Sequence, residues 1–196
     1  MNKNNIFFTA DTHLNHTNII RFTNRPFVDL GDMNAEIIKN WNSVVTNDDT
    51  VFHLGDVLFG NGTEALEILN RLNGTIYLIK GNHEKTVMSN KALRDRFHSI
   101  HDLFELKVDD NDTVYSSGKG HQLIILCHYA FEVWKNSHYG SWHLHGHSHN
   151  GLPTPENMLR MDAGVDNPIC DFFPLSYNQV KKHMETKKFI PINKKD

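Results

Sequence analysis

Cysteine is scarce in this sequence: the chain contains only Cys127 and Cys170, and neither belongs to a CxxC pair. A disulfide framework or a thiolate zinc site is therefore not expected. Long apolar runs are also missing, since no segment approaches the roughly 20 residues that span a bilayer. The N-terminal residues MNKNNIFFTADTH contain only IFF as an apolar run, unlike a signal peptide. These absences predict a cytoplasmic protein without a membrane partner.

An excess of positive charge is missing as well. Lysine and arginine total 20 against 23 aspartates and glutamates, which gives a net charge of −3 and a pI near 6.5. A protein that coats long duplex nucleic acid usually needs a broad basic face, so that partner is not expected. A small phosphorylated substrate or a nucleic-acid end remains open. The 196 residues, 39% of them hydrophobic and 22% charged, contain no repeat or linker, and we predict one domain over residues 1–196.

The clearest positive pattern is a series of short apolar runs, each followed at once by polar residues. Runs of this length, bounded by Gly, Asn and Asp, are typical of buried strands. The predicted strands are Ile6–Ala10, Thr50–Leu54, Thr75–Lys80, Gln122–Cys127 and Ser141–His145. The segment Leu103–Gly120 is predicted to form strands joined by exposed turns.

Helices are predicted between some of these strands, because apolar residues recur at helical spacing. The predicted helices are Asn34–Val45, Thr63–Leu72 and Ser176–Lys188. Thr63 is the expected N-cap of the second helix. Strands and helices that alternate in this way predict an α/β fold.

The stretch SWHLHGHSHN, residues 141–150, contains histidines at four alternate positions. Strand alternation would direct all four side chains to one face. An affinity tag would lie at a terminus as an uninterrupted run, whereas this stretch is internal and includes Trp142, Leu144 and Gly146. Surface histidines without a function are one interpretation. Metal ligands are the other, because neutral imidazole often binds metals, and the stretch alone leaves both open.

Polar side chains of similar kinds follow all five predicted strands. They are Asp11, His13, Asp56, Asn82, His83, His128, His147 and His149. A single aspartate after a strand is usually a cap or turn residue, and a single histidine is usually an ordinary polar residue. In an α/β sheet, however, ligands gather at the carboxyl ends of strands. Five such groups in succession therefore predict a metal site.

The predicted donors are carboxylates, imidazoles and an amide, without a thiolate. This set suits Mn²⁺, Fe or Zn²⁺ at an open catalytic site. About seven ligands are too many for one ion but suit two ions that share a carboxylate. Asp56, in the middle of the set, is the natural bridge. Two ions about 3.5–4 Å apart can hold a hydroxide and clamp a phosphoryl group for in-line attack.

The order of these blocks resembles a known family. DTH, GD, GNHE, a strand-terminal histidine and GHSH occur in that order from Asp11 to His149. They are similar to the blocks D-x-H, G-D-x-x-[D/R], G-N-H-[D/E], H and G-H-x-H of the calcineurin-like metallophosphoesterase superfamily. FTNRPF, DMNAEIIKNWN, HLGDV and RMDAGVD resemble its small phage-type and bacterial branch. The resemblance implies a four-layer α/β/β/α sandwich with two mixed β-sheets, and a metal-dependent phosphoric ester hydrolase.

The resemblance also implies a role for each matching residue. The matching ligands are Asp11, His13 and His149 for the first metal, Asn82, His128 and His147 for the second, and Asp56 as the bridge. His83 matches a histidine that is not a ligand and that donates a proton or holds the phosphate, with Glu84 behind it. The implied cofactors are two divalent ions, with Mn²⁺ as the first choice and Fe, Zn²⁺, Co²⁺ or Ni²⁺ as alternatives.

Other residues near these blocks are weaker candidates for substrate binding. Arg25 could bind the substrate phosphate bidentately, and the alternative is a surface arginine that orders a turn. His16 lies three residues after His13 and could approach the site. The family's charged residue in G-D-x-x-[D/R] is Phe59 here. Any ion pair that this position forms elsewhere must therefore be replaced by packing.

The remaining candidates have supporting roles in this interpretation. His143 and His145 match no ligand and are expected to line or support the site. Asp162 and Asp166 are expected to hold its C-terminal part in register. Four residues between two ligand blocks would either form a wall that stacks on a base or pack in the core: Trp134, His138, Tyr139 and Trp142.

The expected activity is metal-dependent hydrolysis of a phosphoester, in which a hydroxide between the metals attacks and His83 protonates the leaving oxygen. A phosphodiesterase with a nucleotide-type or cyclic nucleotide substrate is the first choice, and a phosphomonoesterase is the second. A metal-bound binding module without turnover is the alternative from another class. Such a module should have lost the proton donor or a ligand, whereas this chain keeps all of them. The sequence predicts neither the physiological substrate nor an oligomeric state.

Overall fold

A computed structural model describes residues 1–113 and 120–190 of the chain. Its strands are β1 (Ile6–Thr9), β2 (Thr50–His53), β3 (Thr75–Ile79), β4 (Ser99–His101), β5 (Leu103–Asp109), β6 (His121–Cys127), β7 (Trp142–His145), β8 (Arg160–Asp162) and β9 (Leu175–Ser176). Its helices are α1 (Thr17–Phe22), α2 (Leu30–Val44), α3 (Gly62–Leu69), α4 (Lys85–Ser89), α5 (Lys91–Arg94) and α6 (Tyr177–Glu185). Among the described residues, no helix has the length and apolar character needed to cross a membrane.

The strands form two mixed sheets. The five-stranded sheet has the order β4-β3-β2-β1-β9, in which β1 to β4 run parallel and β9 runs antiparallel to β1. The four-stranded sheet has the order β5-β6-β7-β8, antiparallel between β5 and β6 and parallel from β6 to β8. Parallel neighbours need crossover connections, and α1 to α5 supply them in the first sheet. The predicted α/β class with two mixed sheets is confirmed.

The two faces of the five-stranded sheet bury different cores. Phe7 and Phe8 are neighbours on β1, and their side chains point to opposite faces, as strand geometry requires. Phe7 packs with the buried face of α2, including Ile37 and Trp41. Burial of each such large side chain stabilises the fold by about 1.5–3 kcal/mol. The helices α1 to α5 therefore cover this outer face of the sheet.

The inner face of the same sheet packs on the four-stranded sheet. Phe8 shares its cluster with Ile124 of β6 and Leu144 of β7. Helix α6 adds Tyr177 to this cluster, where it stacks on Trp142 with ring centroids 5.5 Å apart. The two sheets thus share one apolar interior, and their strand ends can meet at a common rim.

The starts of all three predicted helices differ from the sequence prediction, that of α6 by one residue, because Ser176 is its N-cap. Helix α2 begins at Leu30 and not at Asn34, because the side chain of Asp29 caps it. Helix α3 begins at Gly62 with Asn61 as its N-cap, so the prediction of Thr63 as the cap is wrong. The Asn61 side chain accepts two backbone N–H groups of the first turn, the usual role of an N-cap. Within the predicted strand-and-turn segment Leu103–Gly120, residues 114–119 lie outside the described residues.

Candidate metal centre

Loops that follow five strands bring the candidate ligands to one rim of the two sheets. In strand order, the loops after β1, β2, β3, β6 and β7 contribute Asp11 and His13, Asp56, Asn82, His128, and His147 and His149. Backbone hydrogen bonds hold the first two loops together, since the Asp11 N–H donates to the Gly55 carbonyl at 2.9 Å. The His147 N–H donates to Asp11 Oδ2 at 2.9 Å and so connects the two sheets. The predicted convergence of these side chains is therefore present.

The ligand loops have an unusual backbone. Positive φ angles between 45° and 68° occur at five of the seven candidate ligands, namely Asp11, His13, Asp56, His147 and His149. Residues other than glycine rarely adopt this left-handed conformation, which costs on the order of 1–3 kcal/mol when the surroundings impose it. Such strain is typical of functional sites. At these five residues the backbone strain occurs where the candidate side chains converge.

Two glycines leave the room that these side chains need. Gly55 has a φ of +97°, and a Cβ there would lie 2.5 Å from Nδ1 of His128. A Cβ at Gly146 would lie 2.7 Å from Oδ2 of Asp11. Gly146 is therefore required by the close approach of Asp11.

Asp11, His13 and His149 form one group of donors, with potential ligand atoms within 4.8 Å of one another. The Nδ1–H of His149 donates to Asp166 Oδ2 at 2.6 Å, which leaves its Nε2 available to a metal ion. His13 Nε2 is buried without a hydrogen-bond partner and lies 3.6 Å from Asp56 Oδ2. A buried imidazole nitrogen without a hydrogen-bond partner is available to bind a metal ion.

Asp56, His128 and His147 form a second group, whose potential ligand atoms also lie within 4.8 Å of one another. The Nδ1–H of His128 donates to the Leu54 carbonyl at 2.7 Å, so its Nε2 is the nitrogen that faces the site. This Nε2 lies 3.1 Å from Asn82 Oδ1 and 3.6 Å from Asp56 Oδ2. Asp56 Oδ2 therefore lies between the two groups, 3.6 Å from an imidazole of each.

The electrostatics of the rim fit bound cations. Burial, and next the nearby Asp162, raises the pKa of the Asp11 carboxyl well above its ordinary value. Burial, and next the nearby His149, lowers the pKa of His13 to about 2, so this imidazole is neutral and its nitrogen is available. No described lysine or arginine forms an ion pair with Asp11 or Asp56. Buried carboxylates without a cation are costly, and divalent ions would supply the missing charge.

Arg25 does not face the site. Its side chain is buried, and its Nε and Nη2 donate to the two carboxylate oxygens of Asp166, each at 2.8 Å. Nη1 and Nη2 also donate to the backbone carbonyls of Thr12 and Asp11, at 3.0 and 2.7 Å. This geometry supports neither a phosphate ligand nor a surface arginine. Arg25 instead fixes the Asp11 loop and Asp166, and Asp166 orients His149.

His83 lies beside the candidate ligands and is exposed to the cleft. Its ring centroid is 5.8 Å from that of His13. Its backbone N–H donates to Asp56 Oδ1 at 2.9 Å, which ties its position to that of the central carboxylate. The side chain therefore lies next to the candidate ligands and belongs to neither donor group.

Glu84 is buried, and burial raises the pKa of its carboxyl to about 7. Its carboxylate accepts the backbone N–H groups of Val57 at 3.1 Å and Gly81 at 2.5 Å. These partners belong to the loops after β2 and β3. The sequence placed Glu84 behind the His83 imidazole, but its hydrogen bonds go to the backbone, so it supports His83 only by holding the two loops together.

A cleft of about 650 Å³ opens over the candidate ligands. His16 lines it, and its Nδ1 lies 3.2 Å from Nδ1 of His13. Phe59 stacks on His16 and on His13, with ring centroids 4.1 and 5.5 Å apart. Phe59 therefore replaces a charged side chain by packing, as expected. Phe22 also lines the cleft, and sequence reasoning missed it because the six residues of α1 are too few for a periodic pattern.

Several predicted supporting residues have other roles. His143 is buried, donates from Nδ1 to the Ile125 carbonyl at 2.9 Å, and accepts the Phe131 N–H at Nε2. It is thus a satisfied residue of the interior. His145 is also buried, and its Nδ1 donates to the Gly146 carbonyl. The four residues predicted either to form a wall or to pack in the core do not line this cleft: Trp134, His138, Tyr139 and Trp142. Trp142 is fully buried, so core packing explains its position.

Asp162 has the predicted role of holding loops in register. Its Oδ2 accepts the Ser148 hydroxyl at 2.6 Å and the Asn150 N–H at 2.9 Å. Its Oδ1 accepts the Gly164 N–H at 2.7 Å. The histidine-rich loop after β7 is therefore tied to the segment after β8.

Comparison with known proteins agrees with this geometry. The sequence profile of a family described as calcineurin-like phosphoesterase matches residues 5–173. The uncharacterized protein MJ1445 of Methanocaldococcus jannaschii is 30% identical over 195 residues, which cover 97% of both chains. The gene 66 protein of Mycobacterium phage L5 is 26% identical, covering 83% of this chain and 86% of the phage protein. The phage relative agrees with the branch that the sequence resembles.

A solved structure is similar as well. The crystal structure of the protein of unknown function AQ665 from Aquifex aeolicus superimposes with a TM-score of 0.62 and 25% identity. The match covers 91% of this chain and 98% of the other. None of these three names states a substrate, so the similarity shows the fold and the family but not the substrate.

Proposed function

The chain belongs to the calcineurin-like phosphoesterase family, and we propose that it is a dinuclear metal-dependent phosphodiesterase acting on a nucleotide-type or cyclic nucleotide substrate. Asp11, His13 and His149 hold the first ion in this proposal. The second ion is held by Asn82, His128 and His147, and Asp56 is shared by both. The two donor groups on the rim and the position of Asp56 Oδ2 between them support this assignment.

The lining of the cleft is the observation that favours a diester. No described residue that lines it is a lysine or an arginine. Arg25, the nearest candidate in the sequence, has its guanidinium occupied by Asp166 and two carbonyls. A phosphomonoester carries about two negative charges near neutral pH and is usually bound with the help of such cations, whereas a diester carries one. The metal ions alone can match that single charge.

The chain's own groups have distinct parts in the reaction. Two bound ions would activate a water molecule and polarise the phosphoryl oxygens. His83, beside His13 and exposed to the cleft, holds the proton that passes to the leaving oxygen as its bond to phosphorus breaks. Arg25 and Asp166 keep His149 in position, and Glu84 keeps the loops of Asp56 and His83 together. Arg25, Asp166 and Glu84 are held by hydrogen bonds before a substrate arrives, and such positioning is a usual basis of catalysis.

Protein reconstituted with Mn²⁺, Zn²⁺, Co²⁺ or Mg²⁺ tests the proposal. The substrates are bis(p-nitrophenyl) phosphate, p-nitrophenyl phosphate, cyclic nucleotides and dinucleotides. We expect a higher kcat/KM for the diesters than for the monoester, with Mn²⁺ among the best metals. A preference for the monoester would make the protein a phosphomonoesterase. Inertness towards every ester with two ions bound would make it a binding module.

Phe59 offers a sharper test of the charge argument. In Phe59→Arg, a cation would stand beside His13, and kcat/KM for the monoester should rise relative to that for the diester. Phe59→Leu is the matched control, because it alters the packing without adding charge. The same change of ratio in both variants would contradict the argument.

The cytoplasmic location predicted by the sequence also remains a prediction, and fractionation of cells that contain the protein tests it.

A further inference from the structure

We propose that Phe22, Phe59 and His16 form an aromatic shelf that binds a planar base on the leaving-group side of the substrate. The proposal rests on the diesterase function proposed above, and it adds where the organic part of the substrate lies. We define the aromatic shelf as these three side chains together, since all three line the cleft beside the candidate metal ligands.

Phe22 exposes an apolar ring, although large apolar side chains are usually buried. Phe22 is 62% exposed, although it lies at the end of a helix whose neighbour Ile19 is buried. Its ring lies 6.3 Å from the ring of His16 in an edge-on arrangement. The exposed ring therefore faces a cleft and has an aromatic neighbour that the protein holds in place.

The other two rings of the shelf are rigid. Phe59 stacks on His16 with ring centroids 4.1 Å apart and an interplanar angle of 23°. His16 is also fixed by the contact of its Nδ1 with Nδ1 of His13, at 3.2 Å. Two rings that are already in contact with each other and with a metal ligand lose little freedom when a third ring is added. Preorganised aromatic surfaces of this kind favour stacking.

The shelf also has a defined position relative to the proton donor. The ring of Phe59 lies 5.1 Å from that of His83 and 5.5 Å from that of His13. His83 delivers its proton to the leaving oxygen, so the group attached to that oxygen must pass close to His83. Phe59 is the first apolar surface it meets, and His16 and Phe22 continue the same wall. The shelf therefore contacts the leaving alcohol and not the group that keeps the phosphate.

The chemistry of the shelf selects the class of leaving group. Two phenyl rings and an imidazole stacked on one of them line this wall together with Ile19. The Arg21 guanidinium lies over the Phe22 ring, 5.4 Å from its centroid, so a base would stack on a ring face that this guanidinium does not cover. Stacking on aromatic side chains tolerates every nucleobase, because each base has a π face. The occupant is thus the base of a leaving nucleoside, and base identity should matter less than the presence of a base.

Matched dinucleotides test the proposal with the metal-loaded protein. One substrate is the adenine dinucleotide, and two others carry an abasic tetrahydrofuran residue on either the leaving or the retained side. Loss of the leaving base should reduce kcat/KM by roughly 10-fold, within the usual value of one base–aromatic stack. Loss of the retained base should have a smaller effect. The product that keeps the phosphate identifies which nucleoside has left.

Variants of Phe22 connect this difference to the shelf. In Phe22→Ala the ratio of the kcat/KM values with and without the leaving base should fall towards one. Phe22→Tyr keeps a ring and should retain the ratio, whereas Phe22→Leu keeps apolar volume and should lose most of it. Val28→Ala is the control, because Val28 is 91% exposed and does not line the cleft. Phe22 is so exposed that its variants should fold, and circular dichroism checks this.

A binding measurement separates failure of the shelf from failure of the proposed function. Saturation transfer from metal-free protein to the ring protons of adenosine should be strong for wild type and Phe22→Tyr and weak for Phe22→Ala. Unchanged transfer in Phe22→Ala, or equal kcat/KM with and without the leaving base, would overturn the shelf. A larger effect of the retained base would overturn its placement on the leaving side. Transfer that depends on Phe22, without hydrolysis of any diester, would keep the shelf and overturn the diesterase.

Discussion

Asp110 and Asp11 are both buried aspartates, but their surroundings differ. Asp110 accepts hydrogen bonds from Lys181 Nζ and Tyr177 Oη, both at 2.8 Å, and from Lys3 Nζ at 3.1 Å. Burial opposes its ionisation, but the hydrogen bonds from Lys181, Tyr177 and Lys3 outweigh it and hold the pKa of this carboxyl below its ordinary value. Its partners come from the N-terminal segment and from α6, so the cluster is a structural clamp.

Asp11 has no such partners on the opposite rim. Its carboxylate accepts the backbone N–H of His147, and its charged neighbours include Asp162, Asp56 and Asp166, which raise its pKa further. The His13 imidazole beside it is neutral, because burial lowers its pKa. A buried carboxylate that pairs with lysines of the same chain is therefore structural. Several buried carboxylates without lysine or arginine partners instead indicate a site for a bound cation.

Removal of metal should separate the two regions most strongly. Chelation should abolish phosphoesterase activity and leave the Asp110 clamp intact, because its cations belong to the chain. Mn²⁺ should restore activity at least as well as Mg²⁺, since a histidine-rich donor set is softer than the oxygen shell that Mg²⁺ prefers. Activity assays and circular dichroism of the chelated protein measure both effects. Strong activity with Mg²⁺ alone and with no other divalent ion would contradict the ligand assignment.

Substitution of one aspartate in each region gives the next largest contrast. Asp56→Asn should lose activity by more than the roughly 10–100-fold that removal of a ligand-orienting residue costs, because it removes the charge shared by two ions. Metal analysis should find fewer than two ions per chain. Asp110→Asn is the matched control and should keep both ions and full activity. Two ions at wild-type affinity in Asp56→Asn would remove Asp56 from the bridging position.

The two regions also differ in how far the sequence could predict them. The rim was predictable because Asp11, Asp56 and His147 each follow a short apolar run in a recognisable block. The Asp110 clamp was not, since its partners Lys3 and Lys181 are 107 and 71 residues away and lysines at such positions usually face solvent. Arg25 was misinterpreted for a related reason: its partner Asp166 is 141 residues away, and only tertiary packing shows that the guanidinium is occupied.

His83 belongs to the rim without being a candidate ligand, so it can separate chemistry from metal binding. His83→Ala should keep both ions and lower the rate on a natural diester by roughly 10²–10⁴-fold, the usual effect of a positioned general acid. An aryl diester with an acidic phenol should lose much less, because its leaving group needs little protonation. The measurement is the ratio of variant to wild-type rate on both substrates, with metal content checked. Equal losses on both would assign His83 to phosphate or metal binding.

Asp166→Asn should have an intermediate effect on the rim. The change leaves the shape of the side chain intact but weakens the acceptor that orients His149 and pairs with Arg25. Loss of such a supporting residue typically costs 10–100-fold in metal affinity or activity, so roughly that loss of affinity is expected. Titration of the chelated variant with Mn²⁺ measures it by calorimetry. Wild-type affinity would show that His149 is fixed by the loop backbone alone.

The smallest expected effect is the acid dependence of the Asp110 clamp. The pKa of Asp110 is lowered in the folded protein, against about 3.9 for an unfolded aspartate. Its ionised form therefore stabilises the fold above about pH 4, and this contribution is lost as the pH falls through the lower folded value. Asp110→Asn should lower the free energy of unfolding near pH 7 by about 1.5–3 kcal/mol, the usual contribution of a hydrogen bond to a charged group. Because the variant has no carboxyl to protonate, its difference from wild type should shrink below about pH 4.

Urea unfolding of both proteins without metal, at several pH values from 7 to 3, measures this difference in the free energy of unfolding. A difference that stays constant over that range would mean that the lysines and Tyr177 stabilise the clamp by packing and not through the charge of Asp110.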